Sequence, residues 1–310
     1  MDDAELVQTT QIVRGPGALR EVADIAAGRV FLVTDRGLVA AGHADRLRDL
    51  LETAGVDVRV YDEVTSDPDE EAVAACLAAY QRAQGDGFDW IVALGGGSAM
   101  DVAKGCAMLA AGGGRMADYL GRGRISVNRP RLLAVPTTAG TGSETQSFAL
   151  IGNRDTGQKM ACGGTAPAFA VLDPSLTMTM PPLVTACTGL DTLTHAVEAA
   201  VTRRRSKASC ALATEAFQLV EEHLEAVLDA PQDLEARDAM LYASALAGLA
   251  IENSMLGAAH SMANPLTRRF GVQHGRAVGQ ALPLVVAYNA DEPEARAGYA
   301  DLARAAGLAD

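Results

Sequence analysis

One acid and three histidines are the residues best placed by type and spacing to do chemistry. Asp191 and His195 stand four apart in Gly189-Leu190-Asp191-Thr192-Leu193-Thr194-His195, a stretch that reads as helix. That spacing puts both side chains on one helical face. His260, in Ala258-Ala259-His260-Ser261, and His274, in Gln273-His274-Gly275, are expected on either side of a loop containing Pro265 and Gly271. A carboxylate and three imidazoles can hold a divalent metal and leave room for a substrate oxygen. Without a thiolate, the set suits Fe2+ or Zn2+. Taken singly, Asp191 reads as a helix cap or ion-pair partner, and each histidine as an ordinary core or loop residue. From the residues alone, with three of the five histidines beside one acid, these readings and a shared ligand set both stay open. The other two, His43 and His223, fall on helical stretches that read as solvated and receive no function.

The elements that must position these groups divide near residue 180. A turn at Gly15-Pro16-Gly17 leads into a short helix over 18–27. The continuous apolar runs 29–35, 56–61, 90–94 and 131–136 read as buried parallel strands. Helices over 44–54, 69–84 and 99–111 alternate with them, the second opened by Asp67-Pro68-Asp69. Strands alternating with helices imply βαβ units and a parallel sheet. From Pro181 strand signals vanish, and 185–201, 206–228 and 233–255 read as helices. The expected organisation is an α/β domain over 1–180 and a helical domain over 181–310.

Two glycine-rich loops follow strands in the first half. Gly95-Gly96-Gly97-Ser98 sits between a strand and a helix, where glycines admit a ligand to the backbone and the helix start offers unpaired N–H groups to a pyrophosphate. It lacks the G-x-G-x-x-G pattern, and a tight strand-to-helix turn is an equal reading. The second loop, 137–143, sets Thr137, Thr138, Thr141 and Ser143 among glycines. In open α/β sheets ligands bind at the carboxyl ends of strands, so two such loops point to a nucleotide. Asp35 ends the first apolar run, where a carboxylate would accept from a ribose 2′-hydroxyl and repel a 2′-phosphate, or would cap a helix.

Bulk properties exclude other classes. The net charge of −13, from 39 acids against 26 bases, disfavours nucleic acid or an anionic membrane as a partner. No segment has the uninterrupted apolar length of a membrane span, and the Met1-Asp2-Asp3 start lacks a signal-peptide pattern. The five cysteines, 76, 106, 162, 187 and 210, form no C-x-x-C pair and read as reduced, mostly buried thiols of a cytoplasmic protein.

Together these motifs resemble the iron-containing (group III) alcohol dehydrogenase family, within the dehydroquinate synthase-like superfamily. The matching stretches are Gly95 through Lys104, Pro136 through Glu144, Gly189 through His195, and the His260 and His274 segments in order. The resemblance implies an NAD-binding α/β domain followed by an all-α domain. It implies Asp191, His195, His260 and His274 as metal ligands, and Gly96, Gly97 and Ser98 as holders of the pyrophosphate. Thr137, Thr138 and Thr141 would line the nucleotide site, Asp101 would lie near the nicotinamide, and Lys159 matches a cofactor-side lysine. Asp35 matches the position whose acid favours NAD over NADP. The implied activity is an NAD(H)-linked alcohol dehydrogenase working mainly as an aldehyde reductase, assembled as a homodimer or higher homo-oligomer.

Two departures from the family pattern matter. Asn264 stands where many members carry a histidine, so a proton relay through that side chain is unavailable, although Asn264 can still hydrogen-bond substrate. The stretch Ala263-Asn264-Pro265-Leu266-Thr267, with Arg268 and Arg269, is similar to members that reduce small phosphonate aldehydes, and Arg203-Arg204-Arg205 with Lys207 is a second basic cluster. The chain also stops at Asp310, where family members continue, and so looks shortened. The rivals are a dehydroquinate synthase-like lyase, disfavoured by the Asp-plus-three-His set, and a cofactor-binding remnant without activity.

Overall fold

The computed structural model describes residues 6, 9–83, 85, 87–121 and 130–308. It divides into two compact units. The α/β unit comprises Thr9–Thr137 and Gln146–Thr179. Its elements run β1 (Gln11–Arg14), α1 (Glu21–Ile25), β2 (Arg29–Val33), α2 (Arg36–Ala40), α3 (His43–Thr53), β3 (Asp57–Tyr61), α4 (Glu70–Ala83), β4 (Trp90–Gly95), α5 (Gly97–Gly112), β5 (Arg131–Pro136), β6 (Ala149–Gly152), β7 (Lys159–Cys162) and β8 (Phe169–Leu172). Among the described residues the main sheet has six strands, ordered β1-β8-β5-β4-β2-β3, with parallel pairing throughout. β6 and β7 form a separate antiparallel hairpin.

The apolar runs are continuous because both sheet faces are covered. Val30, Leu32, Val92, Leu94, Leu133 and Val135 pack on one side with Leu19, Val22, Leu47 and Leu51. The alternate residues Phe31, Val33, Ile91, Ala93, Leu132 and Ala134 pack on the other with Cys76, Tyr80, Met100 and Val102. Period-two alternation with two apolar faces leaves no polar position to read. The order reverses between β2 and β4: the chain leaves β2 for β3 on one side and returns to β4 on the other. The carboxyl ends of these two strands therefore flank a topological switch point, where open α/β sheets bind ligands.

The helical unit contains the loop Thr138–Thr145 and the chain from Met180 onward. Its helices are α6 (Pro182–Val201), α7 (Lys207–Asp229), α8 (Leu234–Ser254), α9 (Ala258–Phe270), α10 (His274–Asn289) and α11 (Pro293–Ala305). Asp233 caps α8, accepting from Glu235 N and Ala236 N. α8 is buried along most of its length, which its many alanines permit. Among the described residues no single helix is long and apolar enough to cross a membrane.

The structure corrects several expectations. A single boundary near 180 omits Thr138–Thr145, which belongs with the helical unit. The reason is close packing: Gly142 N donates to Ser244 Oγ at 3.2 Å and Thr145 Oγ1 to Ala245 O at 2.9 Å. The expected loop around Pro265 is helix, and α9, which carries His260 in its first turn, is separated from α10, which His274 opens, only by Gly271–Gln273. Pro265 withholds an N–H from the Ser261 carbonyl, and Ser261 is exposed, so water can serve that oxygen. His43 is not solvated: it is 7% exposed, with Nε2 at 2.8 Å from Thr179 Oγ1. The helix expected over 69–84 is seen as Glu70–Ala83, and Gln84 lies outside the described residues.

Candidate metal centre and nucleotide loop

Asp191 and His195 lie one turn apart on α6, His260 in the first turn of α9, and His274 at the start of α10. The helices bring all three imidazole Nε2 atoms around Asp191 Oδ1, at 3.4 Å for His260, 3.8 Å for His274 and 3.9 Å for His195. Four ligand atoms at about 2.0–2.1 Å from one ion, set tetrahedrally, lie roughly 3.3–3.4 Å apart. Donor atoms of Asp191, His195 and His260 all fall within 4.8 Å of one another. The His195 and His260 rings stack at 4.6 Å, which aligns their edges.

Burial makes the cluster costly without a cation. Asp191, His195 and His260 are 3%, 4% and 3% exposed. Asp191 Oδ1 and His260 Nε2 face each other without a hydrogen-bond partner for either atom. Orphaned buried polar atoms of this kind cost of the order of 1–3 kcal/mol each, and a shared cation satisfies both. The side chain of His274 is 24% exposed and marks the solvent side.

The distal nitrogen of each imidazole is also held. His195 Nδ1 lies 3.2 Å from Gly140 O, His260 Nδ1 2.7 Å from Glu198 Oε2, and His274 Nδ1 3.4 Å from Thr267 Oγ1. Partners on Nδ1 orient an imidazole so that Nε2 presents its lone pair to a metal. Charge sharing within the cluster is strong. Burial opposes ionisation of Asp191, but the surrounding imidazoles hold it well below the usual carboxylate range. Burial pushes His195 down to about 4, against the pull of Asp191. Burial also works against His260, yet Asp191 and Glu198 on its two sides raise it to about 9.

Glu198 was not among the sequence candidates. It lies seven residues after Asp191 on the same stripe of α6 and is 2% exposed. The available signal was an acid on the ligand face inside the apolar run Ala196-Val197-Glu198-Ala199-Ala200.

In the α/β unit, β4 runs into Gly96 and α5. No side chain caps α5, unlike α2, which Asp35 caps by accepting from Leu38 N at 3.1 Å. The first N–H groups of α5 therefore keep their capacity for an anion. Gly95 has φ 155°, and a Cβ there would meet Ala99 Cβ at 2.7 Å and Asp35 Oδ2 at 3.9 Å. Asp35 thus stands beside the glycine turn, at the switch point. Gly96, Gly97 and Ser98 are half-buried, and Asp101 is 8% exposed one turn along α5. Thr137 joins this group through its N–H, which donates to Gly95 O at 3.0 Å. Thr138 and Thr141 belong to the helical unit. Lys159 opens β7 and pairs with Asp67 at 3.1 Å. Asn264 is half-buried one turn beyond His260 on α9.

Residues 9–174 match the profile of iron-containing alcohol dehydrogenases, and residues 185–309 that of the family's C-terminal domain. The chain belongs to the iron-containing alcohol dehydrogenase family. Alcohol dehydrogenase 4 of Schizosaccharomyces pombe is 38% identical over 295 residues, 93% of this chain and 69% of that protein. The NAD-dependent methanol dehydrogenase of Bacillus methanolicus is 34% identical over 283 residues, 89% of this chain and 74% of its own. The sulfoacetaldehyde reductase structure from Bifidobacterium kashiwanohense, in complex with NAD+, matches with a TM-score of 0.86 at 32% identity. It covers 98% of this chain and 86% of that one. As a member of the iron-containing alcohol dehydrogenase family, the chain is an NAD-dependent oxidoreductase of alcohols and aldehydes, with a metal centre.

Proposed function

We propose that the chain reduces a small anionic aldehyde, a phosphonate or sulfonate, with NADH, and works as a homo-oligomer. Asp191, His195, His260 and His274 hold the ion. A divalent metal held there would supply Lewis acidity toward a substrate oxygen, and a bound nicotinamide would supply the hydride. Gly96, Gly97 and Ser98 bind the pyrophosphate at the start of α5, with Thr137 beside them and Thr138 and Thr141 as further nucleotide contacts. Asp35 accepts from the ribose and disfavours a 2′-phosphate, while Asp101 and Lys159 serve the cofactor. Asn264 hydrogen-bonds the substrate and cannot exchange a proton near neutral pH, so the proton would have to be supplied by water or a cofactor hydroxyl rather than by this side chain.

The observation that carries this reading is the convergence of three imidazoles on a buried carboxylate, each with its distal nitrogen held. The anion preference rests on α9, where His260, Asn264 and Arg268 fall at i, i+4 and i+8 on one stripe, with Arg269 adjacent. It is in keeping with the sulfoacetaldehyde reductase likeness. In the other basic cluster Arg205 pairs with Glu294 at 2.8 Å, and none of its residues lies on the stripe of α9 that carries His260. NADH oxidation should be followed with phosphonoacetaldehyde, sulfoacetaldehyde and acetaldehyde, alongside metal analysis. Equal activity on charged and neutral aldehydes would sink the anion preference, and full activity without metal would sink the centre.

A further inference from the structure

Glu198 is a buried carboxylate whose charge has no Lys or Arg on it among the described residues. Its Oε1 accepts from Ala259 N at 2.6 Å and its Oε2 from Gly257 N at 2.9 Å and His260 Nδ1 at 2.7 Å. Two of those donors are the unpaired N–H groups that open α9, so the carboxylate caps that helix from α6. The approach depends on glycine: a Cβ on Gly257 would stand 2.5 Å from Glu198 Oε1. The third donor is the distal nitrogen of a candidate metal ligand.

Charge balance decides between a cap and something more. A buried ion needs compensating charge nearby. With a metal on Nε2, His260 is a neutral imidazole, so Asp191 alone leaves a dication half compensated and Glu198 faces only neutral donors. Linked through His260, the two carboxylates and a dication sum to neutrality. A plain cap could also be a neutral Ser, Thr or Asn, with no buried charge to satisfy.

We infer that Glu198 is a positioning residue of the metal centre, holding His260 as the Nδ1–H tautomer with Nε2 toward the metal and supplying the second negative charge. The inference rests on the metal-centre reading above. A carboxylate in this position keeps a proton on Nδ1 and raises the basicity of Nε2. In Glu198→Gln, the amide can still accept from α9, but it offers His260 an N–H and favours the tautomer with Nε2 blocked.

The test is Co2+ binding to the full chain, with fold followed by circular dichroism. Glu198→Gln should bind Co2+ about 10–100-fold more weakly than the wild type and shift the visible Co2+ spectrum. A cap acting structurally would lower the melting temperature and leave both readouts unchanged. A folded variant with wild-type Co2+ affinity overturns the inference. A second measurement needs no variant: histidine 15N NMR of the Zn2+-loaded wild type should show His260 protonated at Nδ1, and an unprotonated Nδ1 overturns it. Wild-type protein that takes up neither ion would instead overturn the metal centre itself.

Discussion

The two glycine-rich loops are nearly interchangeable as sequence, and the structure gives them opposite tasks. Each follows a buried apolar strand and mixes glycine with hydroxyl residues. Gly95–Ser98 stays in the α/β unit, beside Asp35, and opens α5 with its N–H groups uncapped. The other loop leaves its strand and becomes part of the helical unit over Thr138–Thr145. There Gly142 presses on α8, and a Cβ on it would lie 2.5 Å from Gly248 Cα. The Gly140 carbonyl meets both His195 Nδ1 and Thr192 Oγ1. In the first loop the missing side chain leaves backbone N–H groups uncovered, where we propose that the pyrophosphate binds. In the second it lets backbone approach backbone, and the His195 imidazole is oriented as a result.

The largest test of this contrast is Gly142→Ala. Its φ is 61°, and the obstructing atoms are the backbone of Gly248 and the Ser244 carbonyl, none of which can swing aside. Left-handed strain and overpacking together should cost about 2–5 kcal/mol. Urea unfolding should show that loss, and metal content should fall as His195 loses its orienting carbonyl. Wild-type stability would mean the loop is not seated on α8.

That contrast also shows what a sequence can reveal here. The convergence of Asp191, His195, His260 and His274 was legible because few residue types ligate metals and three of the five histidines fall with one acid in segments that a known family shares. The parallel sheet was legible from four apolar runs. β1, β6, β7 and β8 were not, since each has four residues and too short a pattern to display a period. Glu198 was hidden because an acid within an alanine-rich helix is usually solvated, and its partners Gly257, Ala259 and His260 lie about 60 residues away. His43 was misread for the same reason: its partner, Thr179, lies 136 residues away. The split of the second loop depended on Gly142 and Gly248 meeting, which no local pattern reports.

Metal removal should have the next largest effect, confined to the loop that supports the centre. A ligand present at 100 times its dissociation constant stabilises by about 2.7 kcal/mol. Chelation should lower unfolding stability by roughly that amount and abolish aldehyde reduction. NADH binding by fluorescence should persist, because Gly96, Gly97 and Ser98 do not depend on the ion. Joint loss of both would break the contrast. Gly95→Ala should do the converse. Its φ of 155° strains an alanine, and the new Cβ would crowd Ala99 Cβ at 2.7 Å and reach Leu38 Cδ1 at 3.4 Å, so the start of α5 must shift and the KM for NADH rises about tenfold, near 1.4 kcal/mol. Metal content should stay at the wild-type level, and a fall in it would place the first loop in the centre's support as well.

The smallest effect expected is a pH slope belonging to the α/β unit alone. His43 opens α3, and burial holds its pKa below the ordinary 6.5, with Arg46 adding to the shift and Asp173 opposing it. Below that value an unfolded chain takes up a proton that folded His43 refuses. Stability should therefore be level above pH 6.5 and fall as the pH drops from there toward the folded pKa. His43→Gln, which keeps a donor for Thr179 but cannot titrate, should lose that part of the slope. Acid also displaces metal from imidazoles, and this would mask the effect in loaded protein. The comparison must therefore be made with both proteins chelated, by urea unfolding between about pH 5 and 8. The difference between the two curves then isolates His43, because the metal cluster titrates identically in both. Parallel curves would show that His43 is equally free to protonate in both states, and would remove the α/β unit's own share of the acid sensitivity.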